Sequence, residues 1–85
     1  MRNDQVAKLW ANGGMGTTAR TSNGNFSARG GKLYSYNLMI AERTTDKTII
    51  WDYTSSGEYY SQTTSCHVGL ALRFASDYTL MQPGE

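Results

Sequence analysis

Residue types that form cross-links or bind metals are scarce in this chain of 85 residues. A single cysteine cannot form an intrachain disulfide, so the fold depends on its core alone. One cysteine and one histidine fall short of the roughly three or four ligands of a zinc site, and we predict no metal and no cofactor. No apolar run approaches the roughly 18–20 residues of a membrane span, and no signal peptide is recognisable. We therefore expect a cytoplasmic protein without a membrane partner.

Charge of either sign is also sparse, at 18% of residues, and nearly balanced at a net +1. This balance excludes a strongly basic chromatin-type protein and a strongly acidic mimic of nucleic acid. The charge is nevertheless divided along the chain, because residues 1–41 carry a net +4 and residues 42–85 carry −3. An electrostatic binding surface is therefore expected in the first half.

Neutral polar residues are abundant, since Ser, Thr, Asn and Gly make up 32 of the 85 residues. Aromatic residues make up 12%, which is too many for a simply disordered chain. A chain of this length leaves room for one small domain, spanning residues 1–85. Most aromatic side chains are expected inside it, because a small core needs them to be stable.

Apolar residues at helical spacing predict a helix near each end of the chain. The first begins near Gln5 and ends at the glycines 13–14. The second is capped by one of the hydroxyl residues 63–65 and runs to about residue 75. Gly69 inside this helix costs roughly 1 kcal/mol relative to Ala. We therefore expect Gly69 to approach a strand or an aromatic ring closely.

Alternating apolar and polar residues predict two long strands, at 32–42 and 47–54. Their short polar connection favours an antiparallel hairpin. A short third strand is predicted at 58–61, and an edge strand at about 25–28. One face of the first long strand carries the apolar set Tyr34, Tyr36, Leu38 and Ile40.

The remaining segments carry weaker signals. Residues 13–31 are rich in Gly, Ser and Asn and predict a connector that is in part a mobile loop, and residues 77–85 predict an irregular tail. The predicted fold class is α+β. It consists of a small antiparallel sheet of three or four strands, a C-terminal helix packed across the sheet and a short N-terminal helix at one side.

The sequence offers no arrangement that supports catalysis, and we predict that the protein is not an enzyme. Its seven acidic residues are scattered, and no two are placed on one buried face. Cys66 and His67 are neighbours, which point about 100° apart on a helix and so do not form a nucleophilic pair. We interpret Cys66 as a partly buried apolar residue and His67 as a polar residue beside the sheet. The glycine cluster at 13–18 lacks the lysine and the preceding strand of a phosphate-binding loop.

Basic residues in the first half of the chain suggest a nucleic-acid-binding site. Arg20, Arg29 and Lys32 lie in or beside a Gly/Ser/Asn-rich segment that also contains Phe26. Cations supply phosphate contacts and aromatic rings supply stacking for unpaired bases. The alternative is that the basic residues form a solvated rim and that the nearby aromatic residues, Tyr34 and Tyr36 included, belong to the core.

A second group of aromatic residues suggests a protein-interaction face. Tyr and Trp are favoured at interfaces, and the relevant residues are Trp51, Tyr53, Tyr59 and Tyr60. The alternative is again that these rings form the core. The unpaired edge of the predicted strand 58–61 is also a candidate for pairing in a homodimer.

Two segments, 32–41 and 60–68, carry a recognisable pattern. The first reads Leu-x-Ser-Tyr followed by Ile-Ala, and the second reads Tyr-Ser-x-Thr-Thr-Ser-x-His. Together they resemble a family of small uncharacterised proteins encoded by bacteriophages and other mobile elements. The resemblance covers roughly residues 25–75. It implies a phage-type context but no activity.

The hydroxyl-rich run before the second helix permits an anion site of its own. Thr64, Ser65 and His67 fall in the first turn of that helix, where free N–H groups and the helix dipole attract a phosphate or carboxylate. The dipole should also favour the neutral form of His67. The alternative is that the hydroxyls cap the helix and fix the corner between strand and helix.

We therefore expect a non-enzymatic accessory protein, present as a monomer or homodimer in the infected host, that acts by binding. The resemblance implies a host or defence-system protein, or a nucleoprotein complex, as the target that it modulates or inhibits. The basic half of the chain favours nucleic acid as an alternative target. A virion or assembly component is the third hypothesis.

Overall fold

A computed structural model of the protein describes residues 2–13, 17–54 and 61–82. These ranges form an α+β structure, as predicted. The elements in chain order are α1 (Asn3–Asn12), β1 (Thr18–Arg20), β2 (Phe26–Arg29), β3 (Lys32–Ser35), β4 (Leu38–Arg43), β5 (Thr48–Trp51), α2 (Gln62–Phe74) and β6 (Thr79–Met81). The sheet therefore has six strands rather than three or four. Neither described helix is long and apolar enough to cross a membrane.

The six strands lie side by side in the order of the sequence. Strands β1 to β5 form an antiparallel meander, and β6 joins the edge of the sheet parallel to β5. Parallel neighbours need a crossover connection, which here contains α2. The prediction of an irregular tail from residue 77 is thus wrong for residues 79–81. The predicted strand 58–61 falls almost wholly outside the described residues.

The first hairpin, β1–β2, lies in the segment predicted to be a partly mobile connector. Ala19 is paired with Ala28 and both are buried, while their strand neighbours Thr18 and Arg29 are exposed. The strand predicted at about 25–28 corresponds to β2, but it is not an edge strand because β1 pairs with it. Strand β1 was missed, since a short strand with one small apolar residue gives a weak alternation signal. The turn between β2 and β3 is Gly30-Gly31, with positive φ at both residues, as a tight two-residue hairpin favours.

The long strand predicted at 32–42 is divided into β3 and β4 by a turn at Tyr36-Asn37. A register shift follows, so that Leu33 is opposite Ala41 whereas Tyr34 is opposite Met39. The extra residue is Ile40, and this bulge buries both Ile40 and Ala41. The predicted apolar face was therefore wrong for Tyr34 and Tyr36, because Leu33 and Ser35 are buried instead. It is confirmed for Ile40, which is buried, and for Leu38, which packs against the core.

Both helices pack on the same side of the sheet. Helix α1 contacts β1, β2 and β3, helix α2 contacts β3, β4 and β5, and the two helices contact each other. The core between helices and sheet includes Val6, Trp10, Phe26, Leu33, Ile50 and Val68. Within the described ranges, no element covers the opposite side of the sheet, which we call the outer face.

The C-terminal end of α1 is held by two long-range contacts. The buried Trp10 indole donates from Nε1 to the carbonyl of Gly31 at 2.8 Å. The guanidinium of Arg43 donates to the carbonyl of Trp10 and, at 2.9 Å, to that of Gly13. Gly13 ends α1 as predicted, but with φ −80 and not in the left-handed region. Its small size matters instead, because a Cβ there would lie 2.5 Å from the carbonyl oxygen of Leu9.

Candidate nucleic-acid interface

Three residues predicted to contact nucleic acid come together on the outer face of β1, β2 and β3. The register places Arg29 opposite Lys32, and Arg20 opposite Ser27. Directly opposed residues project from the same side of a sheet, and strand alternation places Ser27 and Arg29 on one side of β2. Arg20, Arg29 and Lys32 are all exposed. We call these three residues, together with Tyr34, the basic face.

Tyr34 is part of this face because it lies opposite Ser27 in the register. Tyr34 is half-buried. It lies on the outer face and not in the core, which was the alternative location that the sequence allowed for it. Tyr34 therefore adds an aromatic surface to a group of cations. The alternation of Leu33 and Ser35 with Tyr34 could have indicated that Tyr34 faces outward. Ser35 is small and polar, however, so the sequence did not identify it as a core residue.

The cations of the basic face are available to an external anion. Among the residues that the structure describes, the one ion pair is Arg2 with Asp4, at 3.5 Å. Arg20, Arg29 and Lys32 therefore have no carboxylate within salt-bridge distance in the described ranges. Glu42 is opposite Lys32 in the register and marks the border of the face toward β4.

A cleft of about 380 Å³ lies on this face. Its lining includes Arg20, Ser27, Arg29, Tyr34 and Tyr36. The short side chain of Ser27 separates Arg20 from Tyr34 on the middle strand. The volume is near the lower end of the ~300–1,000 Å³ common for small-ligand sites. A nucleotide-sized group is therefore of suitable size for this cleft.

Phe26, the fourth residue of the predicted nucleic-acid site, lies on the other side of the sheet. It is fully buried, and its ring stacks on the imidazole of His67 with centroids 4.2 Å apart and planes 9° apart. A base cannot reach this ring without opening the core. The prediction that Phe26 binds nucleic acid is corrected accordingly.

The predicted anion site at Thr64, Ser65 and His67 is also corrected. Ser61 caps α2, since its Oγ accepts from the backbone N–H of Thr64 at 3.1 Å. Thr64 and His67 are both buried, and each forms a hydrogen bond with Ser35 Oγ, at 3.0 and 2.6 Å. Ser65 is half-buried. Ser61 thus caps the helix in place of one of the predicted residues 63–65, which lie inside it. The strand-to-helix corner of the alternative interpretation falls largely outside the described residues.

His67 lies deeper than the sequence suggested, at 1% exposure. Desolvation by burial lowers the pKa of its imidazole below the ordinary value of 6.5. His67 is therefore a neutral, internal residue and not one beside the sheet. Its neighbour Cys66 was expected to be partly buried and is instead exposed.

The structure describes two of the four residues of the predicted protein-interaction face, Trp51 and Tyr53. Trp51 is half-buried, and the register places it opposite Met81 of β6. Tyr53 is half-buried and packs against the core. Tyr59 and Tyr60 lie outside the described residues. The protein-interaction face therefore stays a prediction.

The described ranges hold no group of three or more His, Cys, Asp or Glu residues placed to bind a metal ion. Comparisons with protein-family models, curated proteins and solved structures find no significant match.

Proposed function

We propose that this protein binds nucleic acid through the basic face and acts by binding rather than by catalysis. The observation that carries the proposal is the position of Arg20, Arg29 and Lys32. These residues come from three successive strands, share one side of the sheet, and are exposed. The number of charges along the chain does not indicate whether these three residues lie close together. The register of the strands supports the view that they do.

The spacing of the three cations suits a phosphate backbone. Adjacent strands lie ~4.8 Å apart and successive residues ~3.3 Å apart along a strand, which places the three Cα atoms within roughly 12 Å. Arginine in particular forms paired hydrogen bonds with phosphate oxygens. Three exposed cations on one side of the sheet, with Glu42 at their border beside Lys32, therefore favour a polyanion.

A salt titration of binding tests this function. The probe is a fluorescein-labelled 20-nucleotide single strand, with affinity measured by anisotropy between 50 and 200 mM salt. Binding to single strands weakens with a log–log slope of about −0.7 for each phosphate neutralised, so three contacts give a slope near −2. Affinity that does not change with salt would contradict the proposal.

A matched pair of double variants assigns the charges. Arg20→Ala with Arg29→Ala removes two cations from the basic face, and the slope should fall to about −0.7. Lys8→Ala with Lys47→Ala removes the same net charge from an exposed helix position and an exposed turn. This control should keep most of the wild-type affinity and slope. Equal losses in the two variants would show that net charge, and not the basic face, attracts the probe.

A host or defence-system protein is the second candidate target. It is favoured by the other end of the outer face, where Ile49, Trp51 and Met81 are half-buried on neighbouring strands. Trp is enriched where proteins meet. Purification of the tagged protein from bacterial lysate, with and without nuclease, separates the two targets. A stoichiometric protein that remains bound after nuclease supports this candidate, and nucleic acid in the untreated sample supports the first.

A further inference from the structure

Tyr36 has a backbone conformation that bulky side chains avoid. Its φ is 58°, and it is the one non-glycine residue with positive φ in the described ranges. A residue with a Cβ is destabilised by steric contacts in this left-handed region, where Gly and Asn are the usual residues. The neighbouring turn at 30–31 meets a similar requirement with two glycines. A tyrosine at position 36 therefore invites a functional explanation.

The surrounding structure holds Tyr36 in place but leaves its ring open. Tyr36 and Asn37 form the two-residue loop between β3 and β4, and the Tyr36 N–H donates to the carbonyl of Asn25 at 2.7 Å. The side chain is 46% exposed. In the described part of the protein its hydroxyl has no hydrogen-bond partner, so hydrogen bonding does not explain the choice of tyrosine.

Core packing explains this tyrosine only in part. The Tyr36 ring lies 6.5 Å from the His67 ring and is tilted by 45°, within the distance of an aromatic pair, but Tyr36 remains 46% exposed. Phe26 already stacks on His67 at 4.2 Å. Tyr36 is also one of the residues that line the cleft of the basic face, together with Tyr34 and Arg20.

We propose that Tyr36 is a base-stacking residue, and that the ligand of the basic face is therefore a single strand with unpaired bases. This inference rests on the proposed function. In a duplex the bases stack on one another and are not available to a ring, whereas in a single strand each base presents a face. The cations hold phosphates, and the exposed ring at the edge of the cleft takes the base between them.

Three fluorescein-labelled probes of equal length separate phosphate contacts from stacking. They are a 15-nucleotide oligothymidine, an abasic oligonucleotide with the same phosphates, and a duplex. The wild-type protein should bind oligothymidine about 5- to 150-fold more tightly than the abasic probe, the range that stacking of one base supplies. The duplex offers no unpaired base, so removal of the Tyr36 ring should leave its affinity unchanged.

Two substitutions assign the preference to Tyr36. Tyr36→Gly fits the positive φ and removes the ring, so the variant should fold, keep its affinity for the abasic probe and lose its preference for oligothymidine. Tyr36→Phe keeps the ring and should keep the preference. If the glycine variant fails to fold by circular dichroism, Tyr36→Asn serves instead, because Asn also tolerates this conformation.

The outcomes distinguish this inference from the proposed function. Equal wild-type affinity for oligothymidine and the abasic strand would overturn the stacking inference and leave the basic face as a phosphate site. A preference that persists in Tyr36→Gly would overturn the assignment to Tyr36. Failure to bind any of the three probes would overturn the proposed function and the inference together.

Discussion

The Ser35 hydroxyl lies 2.6 Å from Nδ1 of His67, although the two residues are 32 positions apart in the chain. The same hydroxyl lies 3.0 Å from Thr64 Oγ1, to which the Ser61 hydroxyl donates. A neutral imidazole accepts at Nδ1 when its proton is on Nε2. The hydroxyl protons then point in one direction, from Ser61 through Thr64 and Ser35 to His67. This chain of hydrogen bonds joins the end of β3 to the first turns of α2.

Protonation of His67 should destabilise the fold. Burial lowers the pKa of His67 in the folded state below its ordinary value of 6.5, so the unfolded state binds more protons as the pH falls. With respect to His67, the free energy of unfolding is therefore highest above about pH 6.5 and decreases as the pH falls toward the folded-state pKa. Urea denaturation at pH 7.5, 6.5 and 5.5 measures this decrease. His67 is the single histidine, so His67→Gln should give a smaller pH dependence in this window. A wild-type stability that is constant from pH 7.5 to 5.5 would contradict the prediction.

Ser35→Ala should destabilise the protein by about 1–3 kcal/mol, because it leaves the buried Thr64 and His67 without a shared partner. Ser27→Ala is the matched control, since Ser27 is a half-buried serine on the outer face of the next strand. Its effect should stay within about 0.5 kcal/mol. Thermal or urea denaturation at pH 7.5 compares the two. Similar values for both variants would show that the hydrogen-bond chain does not stabilise the fold.

Gly69→Ala should stabilise the protein by up to about 1 kcal/mol. Gly69 was expected to approach a strand or ring closely, and that prediction is wrong, because a Cβ at this position would meet no atom within 4 Å. The helix would then gain the higher propensity of alanine without a clash. Gly24→Ala provides the contrast, since position 24 is equally open but has φ +74. It should destabilise the protein, and stabilisation by Gly24→Ala would contradict this account of positive φ.

The sequence allowed both helices and the β4–β5 hairpin to be predicted, because helical spacing and a short polar turn are local signals. It did not show the turn at Tyr36-Asn37 or the bulge at Ile40, which continue an apolar alternation without any glycine or proline to interrupt it. Strand β2 was predicted at about 25–28, although as an edge strand, whereas β1 was hidden by its small residues. These features depend on pairing between distant segments and on the space that the helices leave.

In the candidate site, too, residue types could be predicted from the sequence, whereas their positions depend on the pairing of distant segments. Arg20, Arg29 and Lys32 were identified by residue type, but their common face follows from the pairing of three strands. Phe26 was placed with them because it is close in sequence, whereas strand alternation directs it to the opposite side. Nothing local to the sequence of His67 indicates that it stacks on Phe26 from 41 residues away.

Arg43 is a cation that we expect to stabilise the fold and not to bind the ligand. Its side chain reaches toward the helices and donates to the carbonyls of Trp10 and Gly13 at the end of α1. Arg43→Ala should destabilise the fold by about 1.5–3 kcal/mol, the range for hydrogen bonds to a charged group, and it also removes a cation favourable to the helix dipole. For the Arg43→Ala variant, the log–log slope of affinity against salt concentration should remain that of the wild type. Arg20→Ala should show the reverse, with stability nearly unchanged and a slope smaller by about 0.7. Equal salt slopes for the two variants would contradict the assignment of Arg20 to the binding surface and of Arg43 to the fold.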